Sequence, residues 1–267
     1  MFPQKTNLQP AAELNVMQKR NSTLNKIYIS IALLIFQMSV NAEEYRILER
    51  ISYDTLIALE NRINSGIDSD FKIVIESPGG DMLSAIAIGQ IIFDNKINIE
   101  VNFICASACA NYIFPSGNKK YLSKNAMIIF HGGLLQKNII EQMKSIDTSG
   151  ENNVSEPGKE VNLFKIEHPQ HLLDLLSING EDDPRKAILE LQELETKFYK
   201  KIGVKQEIST YGQIGKYKSK YESKEYFGFY YSLNSLEKLG VKNIQSIDAP
   251  KPSEMPNINE HHYLVDY

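Results

Sequence analysis

The chain has 267 residues, a formal net charge of −4, 42% hydrophobic residues and no tryptophan. These values describe an ordinary globular protein and give no electrostatic case for a nucleic-acid partner. There are only two cysteines, Cys105 and Cys109, with no histidine beside them, so the four-ligand spacing of a structural metal site is missing.

Taken in chain order, the first feature is Ile27 to Val40 (IYISIALLIFQMSV), an apolar stretch without charge. Lys19, Arg20 and Lys26 precede it, and Val40-Asn41-Ala42 follows. A basic region, an apolar core of about 7–15 residues and a small-x-small site form the pattern of a secretory signal peptide. The stretch is shorter than the roughly 20 residues of a comfortable membrane span. The expectation is a leader over residues 1–42, with the signal peptide from about Met17, and an exported chain that is periplasmic or secreted. An anchor formed by residues 27–40 is the alternative. Residues 43–249 then make one α/β domain with a polar insertion near 148–182, and residues 250–267 form a loose tail rich in Pro and Asn.

Within the domain, Leu56, Leu59, Ile63 and Ile67 recur at helical spacing and predict an amphipathic helix over 52–67. Phe71 to Glu76 (FKIVIE) alternates and is β-branched, a strand, and Ser77-Pro78-Gly79-Gly80 breaks it. Asp81 can cap a helix through Phe93. Ile97 to Ile104 reads as a second strand, Ser107 opens a second helix to Phe114, and Ala126 to Phe130 forms a third strand ending at His131. Pro184 suits the first turn of a helix that runs to about Lys201. The stretch from Tyr211 to Tyr231 is rich in Tyr and Lys and reads as a subunit interface or a wall of a substrate groove. Leu233 to Gly240 is a short helix, and Val241 to Ile247 a last strand.

Strand, helix, strand, helix, strand implies right-handed crossovers and a mainly parallel sheet. Ligands of such sheets sit outside the carboxyl ends of the strands. Gly79-Gly80, Ser107 and His131 all fall there. A serine is a weak nucleophile without a base, and a histidine serves as one near neutral pH. The backbone N–H of Ala108 at a helix start, and that of Gly80 in a turn without Cβ, can face a developing oxyanion. Cys105 and Cys109 flank Ser107 and are either two buried thiols or a disulfide. His168 and His171 lack a carboxylate partner for a metal.

Ser-Pro-Gly-Gly, a serine in the Cys105-Ala106-Ser107-Ala108-Cys109 helix start, and an apolar strand ending in His131 resemble the Clp protease proteolytic subunit and its relatives in the ClpP/crotonase superfamily. They look most like its exported bacterial branch. The likeness covers Phe71 to Gly133, with an echo in Tyr231 to Val241. It implies the ClpP/crotonase fold, with Ser107 as nucleophile, His131 as general base, and Gly80 and Ala108 as oxyanion donors. It also implies a peptide or unfolded-protein substrate, no cofactor and compatibility with a homo-oligomer. The chain carries no ATPase motif and an exported enzyme would lack ATP, so no ATPase partner is expected. Where the family places an orienting Asp, Tyr221 to Gly228 holds none. Glu222, Glu225 or Asp174 could substitute, or Asp182 or Asp183. Lys137 and Lys144 rank below His131 as bases. The alternative is an inactive member that binds peptide in the same groove. Crotonase-like chemistry on acyl-CoA is a third reading, disfavoured by the leader.

Overall fold

The computed structural model describes residues 43–136, 139, 168–181, 183–246 and 260–267. The leader, Lys137, Lys144, Asp182, residues 148–167 of the insertion and residues 250–259 of the tail lie outside the described residues. Among the described residues no helix is long and apolar enough to cross a membrane.

The expected α/β architecture is present. The strands β1 (Glu44–Ile47), β2 (Lys72–Ser77), β3 (Asn98–Ala106), β4 (Lys120–Leu122) and β7 (Ile244–Ser246) lie in that order in one sheet, and β5 (Met127–Ile129) also pairs with β3. Every pairing in it is parallel. Two short strands share one edge of β3: Ile99 to Val101 pair with β4, and Ile104 to Ala106 pair with β5. Buried β-branched residues fill the centre, with Ile73, Val74, Ile75, Ile99 and Val101 at most 1% exposed.

Helices pack against this sheet and against one another. α1 (Tyr53–Asn64) starts at a capping box formed by Ser52 and Thr55, which satisfies two otherwise unpaired N–H groups reciprocally. α2 (Met82–Asp94) is capped by Asp81, whose carboxylate accepts the Ser84 N–H at 2.7 Å. Its residues are apolar on nearly all sides because it is covered by α1, by the helical segment after Ser107, by α4 (Gln170–Leu176) and by α5 (Pro184–Ile202). A helix apolar all round is a core helix.

The structure departs from the sequence reading in several places. β1 and β4 have no counterpart in that reading; at four and three residues they are too short for a period to show. The helix expected over 108–114 is a π-helix, Cys109–Ile113, followed by the single turn α3, Phe114–Ser116. Pro115 has no N–H to return to Asn111 O, and the Tyr199 hydroxyl donates to that carbonyl instead, at 3.0 Å. The insertion expected to reach 182 already contains α4, which buries Leu172, Leu173 and Leu176. The tail expected to be loose contains β8 (His262–Val265), which pairs in parallel with β6 (Gly228–Tyr231) in a second sheet. Tyr263 and Val265 are buried there, on the period-2 spacing of a half-buried strand.

A tight seam lies where α2 meets the π-helix. A Cβ on Gly89 would sit 2.6 Å from Tyr112 O and 3.0 Å from the Phe198 ring. Gly89→Ala gains about 1 kcal/mol of helix propensity, and the overpacking costs about 1–3 kcal/mol. Because the nearer obstacle is backbone, the second term wins, and urea unfolding of Gly89→Ala is expected to show a net loss of stability.

Candidate active site

Register brings the marked residues together. Ser77 lies opposite Cys105, and Ala106 opposite Ile129, so the three chains leave the sheet side by side as Gly79-Gly80, Ser107 and His131. Ser107 is the turning point between β3 and the π-helix. Its φ is +57°, a left-handed conformation that a non-glycine residue adopts only when its surroundings enforce it. Two backbone bonds do so: the Ser107 N–H donates to Ile129 O at 2.9 Å, and Ser107 O accepts the Asn111 N–H at 2.8 Å.

The glycine turn is fitted against this elbow. Gly79 has φ +96°, and a Cβ there would sit 2.6 Å from both Ser107 Cβ and Ala106 O. The Ser77 hydroxyl, fully buried, donates to Glu49 O at 2.7 Å and receives the Gly79 N–H at 3.2 Å. Ile51 N–H donates to Gly79 O, and Asp81 N–H to Ile51 O, each at 2.9 Å. In such a parallel bridge the residue between the two bonds points its own N–H the other way. That residue is Gly80, which together with Ser107, Ala108 and His131 lines a cavity of about 250 Å³. Met82, Leu134, Ile139 and Leu191 supply its apolar wall.

His131 is held through its backbone. The buried Gln213 amide donates to His131 O at 2.7 Å, and the buried Asn111 amide to Gly132 O at 2.8 Å. Phe130 and Phe229 exchange both backbone hydrogen bonds, at 2.8 and 2.7 Å, which fixes the strand end against β6. The ring itself remains exposed, yet the protein packed around it disfavours the charged form and lowers its pKa. Among the described residues no hydrogen bond joins the Ser107 hydroxyl to the His131 ring, and no carboxylate bonds that ring.

The candidate acids are placed as follows. Glu222 lines a second cavity that also includes His131, and it pairs with Lys218 at 3.6 Å. Glu225 lines neither cavity. Asp174 is exposed on α4 and accepts from Gln170 at 2.7 Å. Asp183 caps α5 through the Lys186 N–H at 2.9 Å. His171 pairs with Glu60 at 2.9 Å, and no group of three or more metal-ligating side chains occurs among the described residues.

Three functional-site residues escape the sequence reading: Asn111, Gln213 and Glu195. Asn111 follows Ser107 by four residues, so helical spacing could have flagged it. Glu195 interrupts the apolar stripe of Leu191, Leu194 and Phe198, which is itself a signal. It is fully buried, and its carboxylate accepts from Tyr112 at 2.7 Å and Gln206 at 2.9 Å and lies against the Leu134 N–H, just past His131. Burial raises its pKa. Gln213 sits among short 3-10 turns and has no pattern to betray it.

Cys105 and Cys109 form a disulfide, with Cα atoms 5.3 Å apart and both residues fully buried. The bridge spans the elbow from the end of β3 to the first residue of the π-helix, with Ser107 at its centre.

The sequence matches no protein-family profile and no curated protein. Solved structures similar to this chain include a point mutant of ClpP1 from Listeria monocytogenes, at 15% identity and a TM-score of 0.40, covering 80% of this chain and 96% of the other. They also include a point mutant of the 1510-N membrane-bound stomatin-specific protease in complex with a substrate peptide, at 20% identity and a TM-score of 0.30, covering 37% of this chain and 50% of the other. Both likenesses are distant, so the roles of individual residues rest on the geometry of this chain.

Two substitutions test how the site is held. Closing a five-residue loop restricts the unfolded chain by about 2 kcal/mol, so Cys105→Ala with Cys109→Ala is expected to lower stability by that amount in urea unfolding. Gln213→Leu removes the donor to the part-buried His131 carbonyl and is expected to cost about 1 kcal/mol by the same measurement.

Proposed function

We propose that this chain is an exported, ATP-independent serine peptidase. Ser107 attacks the scissile carbonyl, His131 takes its proton and passes it to the leaving amine, and the N–H groups of Gly80 and Ala108 receive the oxyanion. The observation that carries the reading is the cavity itself. One serine in a left-handed elbow, one histidine and the two backbone donors line a single space with an apolar wall. That wall suits a peptide segment with an apolar side chain on the acyl side of the bond. A nucleophile held by backbone bonds and a disulfide is pre-positioned, which reduces the ordering needed at the transition state. The alternative is an inactive peptide-binding member, and it draws on the absence of a carboxylate at the His131 ring among the described residues.

Labelling with a fluorophosphonate probe tests the assignment. Wild-type protein is expected to label, and Ser107→Ala to lose labelling entirely. His131→Ala is expected to slow labelling by about 10²–10⁴-fold, the usual share of a general base. Labelling that survives in Ser107→Ala removes that serine from the mechanism. Peptide binding without turnover across about pH 6–9, the range over which a histidine base should work, supports the inactive alternative.

The pH profile follows from the direction of the His131 shift. The base acts as neutral imidazole, and its pKa lies below the ordinary 6.5. The labelling rate should therefore hold down to mildly acidic pH and fall only below 6.5 as the ring gains its proton.

A further inference from the structure

His131 borders two cavities. One is the nucleophile cavity with Ser107. The other, of about 470 Å³, is lined by Tyr221, Tyr226, Phe227, Gly228, Phe229 and Tyr263, with Glu222 and Lys224. Its volume falls within the range of about 300–1,000 Å³ usual for small-molecule sites. Its far wall is the second sheet: Gly228 and Phe229 come from β6, and Tyr263 from β8. Phe227 is 70% exposed, the highest exposure among the large hydrophobics of the described residues. It stands in front of His261, with ring centroids 5.1 Å apart. Phe227 therefore adds apolar surface to the rim of a cavity that also has His131 and three tyrosines in its lining.

We infer that this cavity receives the first residue on the leaving-group side of the cleaved bond, and that it selects an aromatic or large aliphatic side chain there. The inference rests on the peptidase reading. The general base must also protonate the departing amine, so the leaving residue has to lie on the His131 side of the bond, away from the oxyanion donors. The acyl side then occupies the cavity of Met82, Leu134, Ile139 and Leu191, and the chain passes His131 into the aromatic one. Aromatic walls favour an aromatic or aliphatic guest through edge-to-face contact and burial. A basic residue is disfavoured, because Lys220 already lies over the Tyr226 and Tyr263 rings, at 5.8 and 5.4 Å, and Lys224 lines the cavity. An acidic residue would lose its hydration against the same rings, and Glu222 on the lining offsets the attraction of Lys224.

The test uses internally quenched peptides that differ only in the first residue after the scissile bond, alongside an acyl methyl ester whose leaving group is too small to reach the cavity. Peptides with Phe, Tyr or Leu are expected to exceed those with Gly, Asp or Lys by about ten-fold or more in kcat/KM, the scale of discrimination an apolar pocket supplies. Phe227→Ala is expected to reduce the Phe-over-Gly ratio at least about three-fold, a part of that same discrimination. Phe227 is exposed, so its loss should spare the fold. Tyr226→Ala should act in the same direction. A flat profile while the ester is still hydrolysed overturns the subsite and leaves the peptidase reading standing, as does a ratio unchanged in both variants. Failure of the wild type to hydrolyse the ester, with no probe labelling of Ser107, overturns the peptidase reading and this inference together.

Discussion

The site depends on one close approach: backbone of the Ser77–Gly80 turn against the backbone of the Ser107 elbow. No side chain fits between Gly79 and Ser107, so the two loops meet at a distance only glycine permits. The contact fixes much else. It sets how far β2 and β3 run before they turn, and it orders the start of α2 through Asp81. It also leaves Gly80 as the residue whose N–H turns away from Ile51. A parallel sheet delivers loops to one edge in any α/β fold. This contact converts that general delivery into a specific geometry around one hydroxyl.

A second layer of support is polar and buried. Asn111 and Gln213 spend their amide donors on the two carbonyls after Phe130, and each keeps a side-chain oxygen without a partner among the described residues. Such groups are costly to bury, and their placement at the loop after His131 marks that loop as the part of the site whose position matters. Glu195 does related work from α5, gathering Tyr112, Gln206 and the Leu134 amide into one network. The helical layer thus grips the histidine loop at several points and does not merely cover the sheet.

Much of this is legible in the residues. β2 alternates, α2, β3 and β5 read as apolar runs bounded by turn signals, and the marked residues Gly80, Ser107 and His131 each follow a strand, so sequence order alone places them at one sheet edge. The conformation of Ser107 is not legible, because a left-handed serine is imposed by neighbours and not by its own preference. The π-helix is hidden as well: its cause is a single proline acting together with Tyr199, 84 positions along the numbering from Pro115. β8 reads as tail because a four-residue strand in a Pro- and Asn-rich setting gives little signal, and its stability comes from β6. Gln213 escapes notice for the opposite reason to Glu195. A glutamate inside an apolar stripe announces itself, whereas a glutamine among polar turns does not.

The disulfide ties the shape of the elbow to the chemistry of the surroundings. Its two cysteines are four positions apart, so the ring can close from neighbouring residues before any distant part of the chain has arrived. A chain folding where thiols are kept reduced would lack that ring and would have to hold Ser107 left-handed with backbone bonds alone. One folding in an oxidising space would carry the turn preformed into the assembly of the sheet. Formation of the elbow around Ser107 would then include an oxidation step, with two sulfurs joined before the sheet is complete.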